Sequence, residues 1–356
     1  MRCPRLLPLL IPTLVLAACG DSSATSPAAT APSLATSAPA TSAPTTSAPA
    51  TTAPAPSTPA TSAPTSTSLT TDPATTVPAG PRLVTHAMGV TEVPAEVARI
   101  VVLDSSFLDA AIALGVPPVG ATEGTPGSGL PAYLGEASAE IEIPGDTTAP
   151  NLEAVAALRP DLILGAKVRH ESLYDQLSAI APTVFSESSG QDWTRQVLLT
   201  AEALGRTAEA EALLDAFSTR AAEVGAAIGA AGKTARIVRF IPGQTRVYGP
   251  TTFSGSVLAA VGFDLSGADT GLEYDPAYGM ALVSAEQFGL LDSDVIFATG
   301  FADEGSARGD FESVWGSLPA VAGEQLFTID DATWMTGIGV IGANLILDDL
   351  EAWLAG

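Results

Sequence analysis

The sequence predicts an α/β fold of two Rossmann-like lobes joined by a single long α-helix, with a ligand cleft between the lobes. Three observations carry that expectation. Short β-branched runs alternate with helical patterns of about ten residues in two separate stretches, the signature of βαβ units and parallel sheets. Between those stretches, apolar residues recur at three- and four-residue steps for much longer than in an ordinary helix. Residues 20–80, by contrast, are almost wholly Thr, Ala, Ser and Pro, with Asp21 and Asp72 as their only charges, so they belong to no core.

The elements follow in chain order. Residues 1–18 read as a signal peptide, with Arg2 and Arg5 as a positive n-region and an apolar stretch from Leu6 to Leu16 broken by Pro8 and Pro12. That stretch falls short of the roughly 20 apolar residues of a membrane span. It closes on Leu16-Ala17-Ala18-Cys19, which resembles the bacterial lipobox, where the cysteine thiol receives a diacylglycerol; an ordinary signal peptide is the alternative. The chain has 2 cysteines, Cys3 and Cys19, which leaves residues 81–356 with neither a disulfide nor a thiolate metal site. Residues 19–80 are expected to be the lipid-anchored cysteine followed by a disordered tether. With polyproline II geometry of about 3.1 Å per residue, roughly 60 residues reach over about 100 Å.

Residues 81–190 form the predicted N-terminal lobe. Arg99-Ile-Val-Val-Leu103 is a strand, followed by Asp104-Ser105-Ser106 and a helical pattern through Leu114 that Gly115 ends. A strand begins at Val119, a helix covers Asn151 to Leu158, and Arg159-Pro160-Asp161 leads into strand Leu162–Leu164. Helix Leu173–Ile180 and strand Thr183–Phe185 complete the lobe. Residues 191–231 are the connection, in which Val197, Ala201, Leu204, Ala208, Leu213, Phe217, Ala221, Val224 and Ile228 mark one helical face. About 35 residues at 1.5 Å rise span about 50 Å, with at most a break near Gly205. Residues 232–356 form the C-terminal lobe: strand Arg236–Ile241, a turn at Pro242-Gly243, strand Arg246–Tyr248, and a helix capped by Ser254 or Ser256 that runs to Val261. Helix Ser284–Leu291, strands Asp294–Ala298 and Gln325–Ile329, and a closing helix Gly339–Leu354 follow. A cleft between two such lobes is the default ligand site.

Charge excludes one class of partner. The chain carries 15 basic and 39 acidic residues, net −24; residues 1–80 hold two of each, so 81–356 keep 15 − 2 = 13 and 39 − 2 = 37. A surface this acidic does not suit nucleic acid, which needs a basic footprint. No G-x-S-x-G elbow, Walker loop or H-E-x-x-H motif is present, so no enzyme is expected. The 2 histidines stand 170 − 86 = 84 positions apart and do not suit capture of free metal.

Several stretches together resemble the class III (helical-backbone) substrate-binding proteins of ABC importers. They are His86-Ala-Met-Gly-Val-Thr-Glu-Val-Pro94, Arg99 through Gly115, Val119-Gly120, Asn151-Leu-Glu-Ala-Val-Ala-Ala-Leu-Arg-Pro-Asp-Leu-Ile163, Val247-Tyr-Gly-Pro250, Val283-Ser-Ala-Glu-Gln287 and Trp315-Gly-Ser-Leu-Pro319. The opening His-x-x-Gly-x-Thr-x-x-Pro looks most like the ferric-siderophore branch. The resemblance implies a monomeric extracytoplasmic lipoprotein, held by the lipid on Cys19 to the outer face of the cytoplasmic membrane. It would bind a ferric siderophore, with no cofactor of its own, and deliver it to an ABC permease. It also implies that Glu153 and Glu286, one per lobe, dock into permease arginines; complementing the dipole of a helix first turn is the alternative for each. Haem or cobalamin is the alternative cargo within the same fold, and a surface adhesion or cell-wall lipoprotein the alternative of a different class.

Candidate ligand residues follow from the rule that α/β sheets bind ligands beyond the carboxyl ends of strands. Lys167 and Arg169 follow strand 162–164, Arg239 lies in strand 236–241, and Arg246 follows it. These four are the candidates for anion recognition, with solvated or ion-paired surface residues as the alternative. Trp193, Tyr248, Tyr274, Tyr278 and Trp334 offer an apolar face with a polar handle to a bulky ligand, Trp334 foremost; a core position is the alternative at each. Trp315 and Trp353 are expected to pack internally. His170 either extends the Lys167–Arg169 loop towards ligand or caps a helix at Glu171, and His86 is expected to be structural.

Overall fold

The β-branched runs read from the sequence become the strands of two sheets in the computed structural model, which describes residues 80–355 apart from Thr125, Pro242, Ala277 and 301–315. The predicted signal peptide, Cys19, the predicted tether, Pro242 and Trp315 lie outside the described residues. The first described element was not read from the sequence: β1 (Arg82–His86) and β2 (Gly89–Val93) pair as an antiparallel hairpin. Only Val84 and Val93 of this hairpin are fully buried, while Leu83 and Val90 are exposed, so no clean apolar alternation marks it.

The N-terminal sheet contains β3 (Ile100–Val102), β4 (Gly120–Ala121), β5 (Leu162–Ala166) and β6 (Thr183–Ser186), all parallel in the order β4-β3-β5-β6. Its strands are buried on both faces, which is why they read as continuous apolar runs. Leu162 and Leu164 face Phe107 and Leu108, while Val101 and Ile163 face Val155 and Leu177. The covering helices are α1 (Ser105–Ala113), α2 (Leu152–Ala157), α3 (Lys167–His170) and α4 (Tyr174–Ser178).

The single connecting helix is corrected to two, α5 (Trp193–Leu204) and α6 (Thr207–Ile228). Gly205 adopts the left-handed conformation (φ 70°), and Arg206 N–H donates to Ala201 O at 2.8 Å while Gly205 N–H donates to Glu202 O at 3.2 Å. That is a Schellman motif, which closes the last turn and redirects the chain. The apolar period carries across the break because both helices turn the same kind of face to one core.

The C-terminal sheet contains β7 (Ala235–Ile241), β8 (Gln244–Tyr248), β9 (Met280–Leu282), β10 (Val295–Gly300) and β11 (Leu326–Thr328), in the order β11-β10-β7-β8-β9. β11, β10 and β7 are parallel, whereas β8 and β9 fold back antiparallel. Helix α7 (Phe253–Val261) is capped by Thr252, whose hydroxyl accepts the Gly255 N–H, and not by Ser254 or Ser256. The Ala285–Leu291 segment is a 3₁₀ helix with a capping box between Ser284 and Gln287. A short α8 (Pro319–Ala322), a π-helical turn Ala332–Thr336 and the closing α9 (Val340–Leu354) complete the described chain.

More than the α5–α6 connection unites the two sheets. Ala110 of α1 with Leu114 at its C-terminal end, and Val197 and Ala201 of α5, share one apolar cluster with Val257 and Leu258 of α7 and Ala343, Ile346 and Leu350 of α9. Close-packed interiors of this kind resist continuous deformation, so the lobes are held in a defined relation.

Candidate ligand-binding cleft

All four strands of the N-terminal sheet and three of the C-terminal sheet contribute residues at or near their carboxyl ends to one cavity of about 680 Å³. From the first come Asp104 and Ser105 after β3, Arg169 after β5 and Ser189 after β6. From the second come Arg239 in β7, Gly300 ending β10, and Asp330 and Asp331 after β11. Leu108, Leu130, Pro131, Met335 and Ile338 supply apolar wall, and Thr122, Thr147 and Thr148 supply hydroxyls.

Asp104 organises the N-terminal wall. Its carboxylate is buried, accepts Ser106 N–H at 3.1 Å, Ser106 Oγ at 2.7 Å and Ser189 Oγ at 2.9 Å, and pairs with Arg169 Nε at 3.0 Å. The side chain therefore caps α1 and aims an arginine at once. Asp104 takes only Nε, and Arg169, a residue of the cavity wall, remains 43% exposed, so the terminal fork of the guanidinium stays available for a ligand. On the opposite wall, Arg239 grips Asp331 through Nε and a terminal nitrogen, both at 2.6 Å. Burial works against the Arg239 charge, but Asp331 and the Tyr248 hydroxyl outweigh it and raise its pKa.

The four basic residues predicted to act together are thus divided. Arg169 and Arg239 line the cleft, one from each lobe. Lys167 turns to an adjoining surface hollow and pairs with Glu187 at 3.0 Å, a bond that raises the ammonium pKa. Arg246 stands opposite Arg239 on the antiparallel β8, bonds the Gln244 side chain at 3.2–3.3 Å and is not part of the cavity wall.

The aromatic candidates are placed mostly in the interior. Trp334 is 0% exposed, stacks on Phe297 at 5.0 Å and donates its indole N–H to Asp349 at 2.8 Å. The π-helical turn lets Ala332, Met335 and Thr336 face the cleft and drives Trp334 inward. Trp193 is buried edge-on against Phe217 and Phe253, with its N–H on Ser256 Oγ at 3.0 Å. Tyr248 packs beside the shared core, and the Tyr274 ring packs against the other face of the C-terminal sheet, where burial pushes its phenol up to about 12. Tyr278 is exposed away from the wall, and Trp353 packs in the aromatic stack as expected. The sequence reading missed Asp104, Ser189, Asp330 and Asp331. Asp104, Asp330 and Asp331 stand two or three positions past the ends of β3 and β11, so the same carboxyl-end rule would have found them had it been applied to acids as well as bases.

Both histidines are structural. His170 is fully buried; Nδ1 accepts Ala166 N–H at 3.2 Å, which assigns the proton to Nε2, and Nε2–H donates to Thr147 O at 2.8 Å. It thereby fastens a cleft residue to the end of β5. His86 accepts Met88 and Phe185 N–H groups on Nδ1 and bonds Thr91 through Nε2. Burial lowers both pKa values. A histidine with a depressed folded pKa loses stability as pH falls through its unfolded value of 6.5. His170→Gln is therefore expected to show a shallower loss of urea stability than the parent between neutral pH and pH about 5. Parallel pH profiles of the two would show that His170 does not titrate on unfolding.

Glu153 and Glu286 sit exposed in the first turns of α2 and of the 3₁₀ helix, one on each lobe. Asn151 caps the first by accepting Glu153 and Ala154 N–H, and the Ser284 hydroxyl lowers the Glu286 pKa. Among the described residues no cluster of His, Cys, Asp and Glu suits a metal ion, and no helix is long and apolar enough to cross a membrane.

Comparison with known proteins supplies the family. The sequence profile described as "Periplasmic binding protein" matches residues 100–333. The probable siderophore-binding lipoprotein YfiY of Bacillus subtilis is 34% identical over 283 residues, covering 76% of this chain and 87% of the relative. The achromobactin-binding periplasmic protein of Dickeya dadantii is 30% identical over 262 residues, covering 71% and 85%. Among solved structures, Staphylococcus aureus SirA complexed with staphyloferrin B is 31% identical with a TM-score of 0.69, covering 76% of this chain and 97% of that one. The two-lobed α/β architecture with a cleft at the strand ends agrees with these relatives, and the chain belongs to the periplasmic binding protein family.

Proposed function

We propose that this protein is an extracytoplasmic receptor that captures a ferric siderophore and hands it to an ABC-type import permease. The observation that carries the reading is the pair Arg169 and Arg239, presented from opposite lobes to one cavity of about 680 Å³. Siderophore chelates expose anionic oxygen donors, which charge-assisted hydrogen bonds from arginine suit. The iron is cargo held by its chelator. A haem reading would need an axial ligand, and neither histidine lines the cavity, the ring nitrogens of both being taken up in structural bonds. Relatives named for siderophore binding support the same choice. The full chain is expected to co-elute with an iron-loaded carboxylate, catecholate or hydroxamate siderophore on gel filtration; failure with all three classes would contradict the reading.

In this account Cys19 carries the lipid anchor and residues 20–80 form the tether. Residues 81–190 and 232–356 act as the two lobes of a monomeric receptor, and binding involves no catalysis. Glu153 and Glu286 engage permease arginines, because one exposed carboxylate on each rigid lobe fixes both position and register. Replacing both with alanine is expected to leave siderophore affinity unchanged and to abolish uptake of radioiron in cells that depend on this receptor. Normal uptake by the double variant would remove the docking role.

A further inference from the structure

One buried carboxylate ties the N-terminal lobe to the first turn of the last helix. Asp109 of α1 is 0% exposed; Oδ1 accepts Ile341 N–H at 3.0 Å and Oδ2 accepts Gly342 N–H at 2.9 Å, across 232 and 233 positions of chain. The Tyr133 hydroxyl donates to Oδ2 at 3.1 Å. First-turn amides have no partner inside their own helix, so these two depend on the other lobe for theirs. The approach is close: a Cβ on Gly339 would overlap the Asp109 carboxylate. Leu108 beside Asp109, Ala132 beside Tyr133 and Ile338 before Gly339 all line the cleft, so this contact lies directly behind its wall.

We propose that Asp109 is a positioning residue, a latch that fixes the angle between the lobes and hence the width of the cleft. An apolar side chain would fill the space but leave the Ile341 and Gly342 amides without an acceptor. What the carboxylate adds is register, because it meets two consecutive amides and a phenol only when α1 and α9 sit at one separation. The latch touches no ligand and stands whatever the cleft binds.

Its charge makes it pH-sensitive. Burial pushes the Asp109 carboxyl up to about 6, against the amides of Ile341, Gly342 and Val340 and the Tyr133 hydroxyl, which lower it. Tyr133 is the titratable side chain that faces it, and burial and Asp109 itself push that phenol well up, so it stays a donor. The charged side chains of the helices packed on α1, Arg195 and Glu202 of α5 and Asp348, Asp349 and Glu351 of α9, make no hydrogen bond to it. Opening the latch returns the carboxyl to water and to its ordinary value of 3.8. The closed latch therefore binds protons more readily than the open one between those values, and acidification through about pH 6 tightens it.

Hydrogen exchange of the full chain, without ligand, tests this. In Asp109→Ala the amides of residues 338–345 are expected to exchange about tenfold or more faster at pH 7.5, since two buried donors lose their acceptor. Residues 105–114 are expected to loosen with them. Asp109→Asn, which keeps one carbonyl acceptor, should fall between Ala and the parent. After correction for intrinsic rates, parent exchange should slow from pH 7.5 to pH 5 while the Asn variant lacks that component. Faster exchange confined to 338–345 would reduce Asp109 to a local helix cap and overturn the latch. Identical pH dependence in parent and Asn variant would overturn it too, and that comparison decides if the Ala variant does not fold.

Discussion

Trp334→Ala is expected to destabilise the protein by about 3–5 kcal/mol, the range for truncating a large buried aromatic. The residue is 0% exposed and lies at the centre of a stack with Phe297 at 5.0 Å and Trp353 at 6.2 Å. Its loss leaves a cavity and also removes the N–H that Asp349 accepts at 2.8 Å. Trp334→Phe keeps a ring in the stack but gives up that hydrogen bond and part of the indole volume, so a smaller loss of about 1–3 kcal/mol is expected. Urea unfolding separates the two, with a lower midpoint and an unchanged slope for Trp334→Ala. The outcome bears on function, because Trp334 has the sequence position of a ligand-contacting aromatic. Weakened ligand binding with unaltered stability would return it to the cleft wall.

Arg169→Ala is expected to weaken capture of a ferric siderophore about 10- to 100-fold, the effect of deleting a charge-assisted hydrogen-bond donor. Asp104 holds the guanidinium by Nε alone, leaving its fork for ligand oxygen. The substitution also strips Asp104 of its counter-charge, but Ser106 N–H, Ser106 Oγ and Ser189 Oγ still satisfy the carboxylate. Binding should therefore fall far more than stability. Asp104→Asn offers the complementary check: the arginine keeps its charge but loses its ionic anchor, so affinity falls by less than in Arg169→Ala. An Arg169→Ala protein that binds with parental affinity would remove the arginine from the recognition surface. Arg246→Ala, by contrast, should change affinity little, since that side chain engages Gln244 beyond the cavity wall.

The parts of the fold legible in the sequence are those written in local pattern. β3, β5 and β10 are buried on both sides, so Ile100–Val102, Leu162–Leu164 and Val295–Phe297 appear as unbroken apolar runs, each preceded by a charged residue (Arg99, Asp161 and Asp294). The break at Gly205 was also visible, since glycine is the residue that accepts a left-handed cap. What it does, end one helix and begin another, depends on tertiary contacts that periodicity does not encode. β9 has three residues and the β1–β2 hairpin buries few side chains, so neither leaves an apolar signature.

The site was legible only in its bases. Arg169 and Arg239 stand at strand ends, and the sequence picks them out because basic residues are scarce. Their partners cannot be read in this way, since Asp104 lies 65 positions from Arg169 and Asp331 lies 92 from Arg239, among 39 acids of no distinctive local context. Nor does sequence distinguish Met335 on the wall from Trp334 behind it, because adjacent residues of one helical turn share every local property except direction. The inter-lobe bond of Asp109 is hidden for the same reason, as its partners are backbone amides more than 230 positions away.

Equilibrium titration of the full chain with iron-loaded siderophores, haem and cobalamin tests whether the cavity between the lobes holds a ferric siderophore. Tryptophan emission is a suitable signal because Trp334 lies immediately behind the wall formed by Ala332 and Met335. Saturable one-to-one quenching by a ferric siderophore, weakened in Arg169→Ala, is the expected result. Saturable binding of haem or cobalamin with none of any ferric siderophore would contradict it.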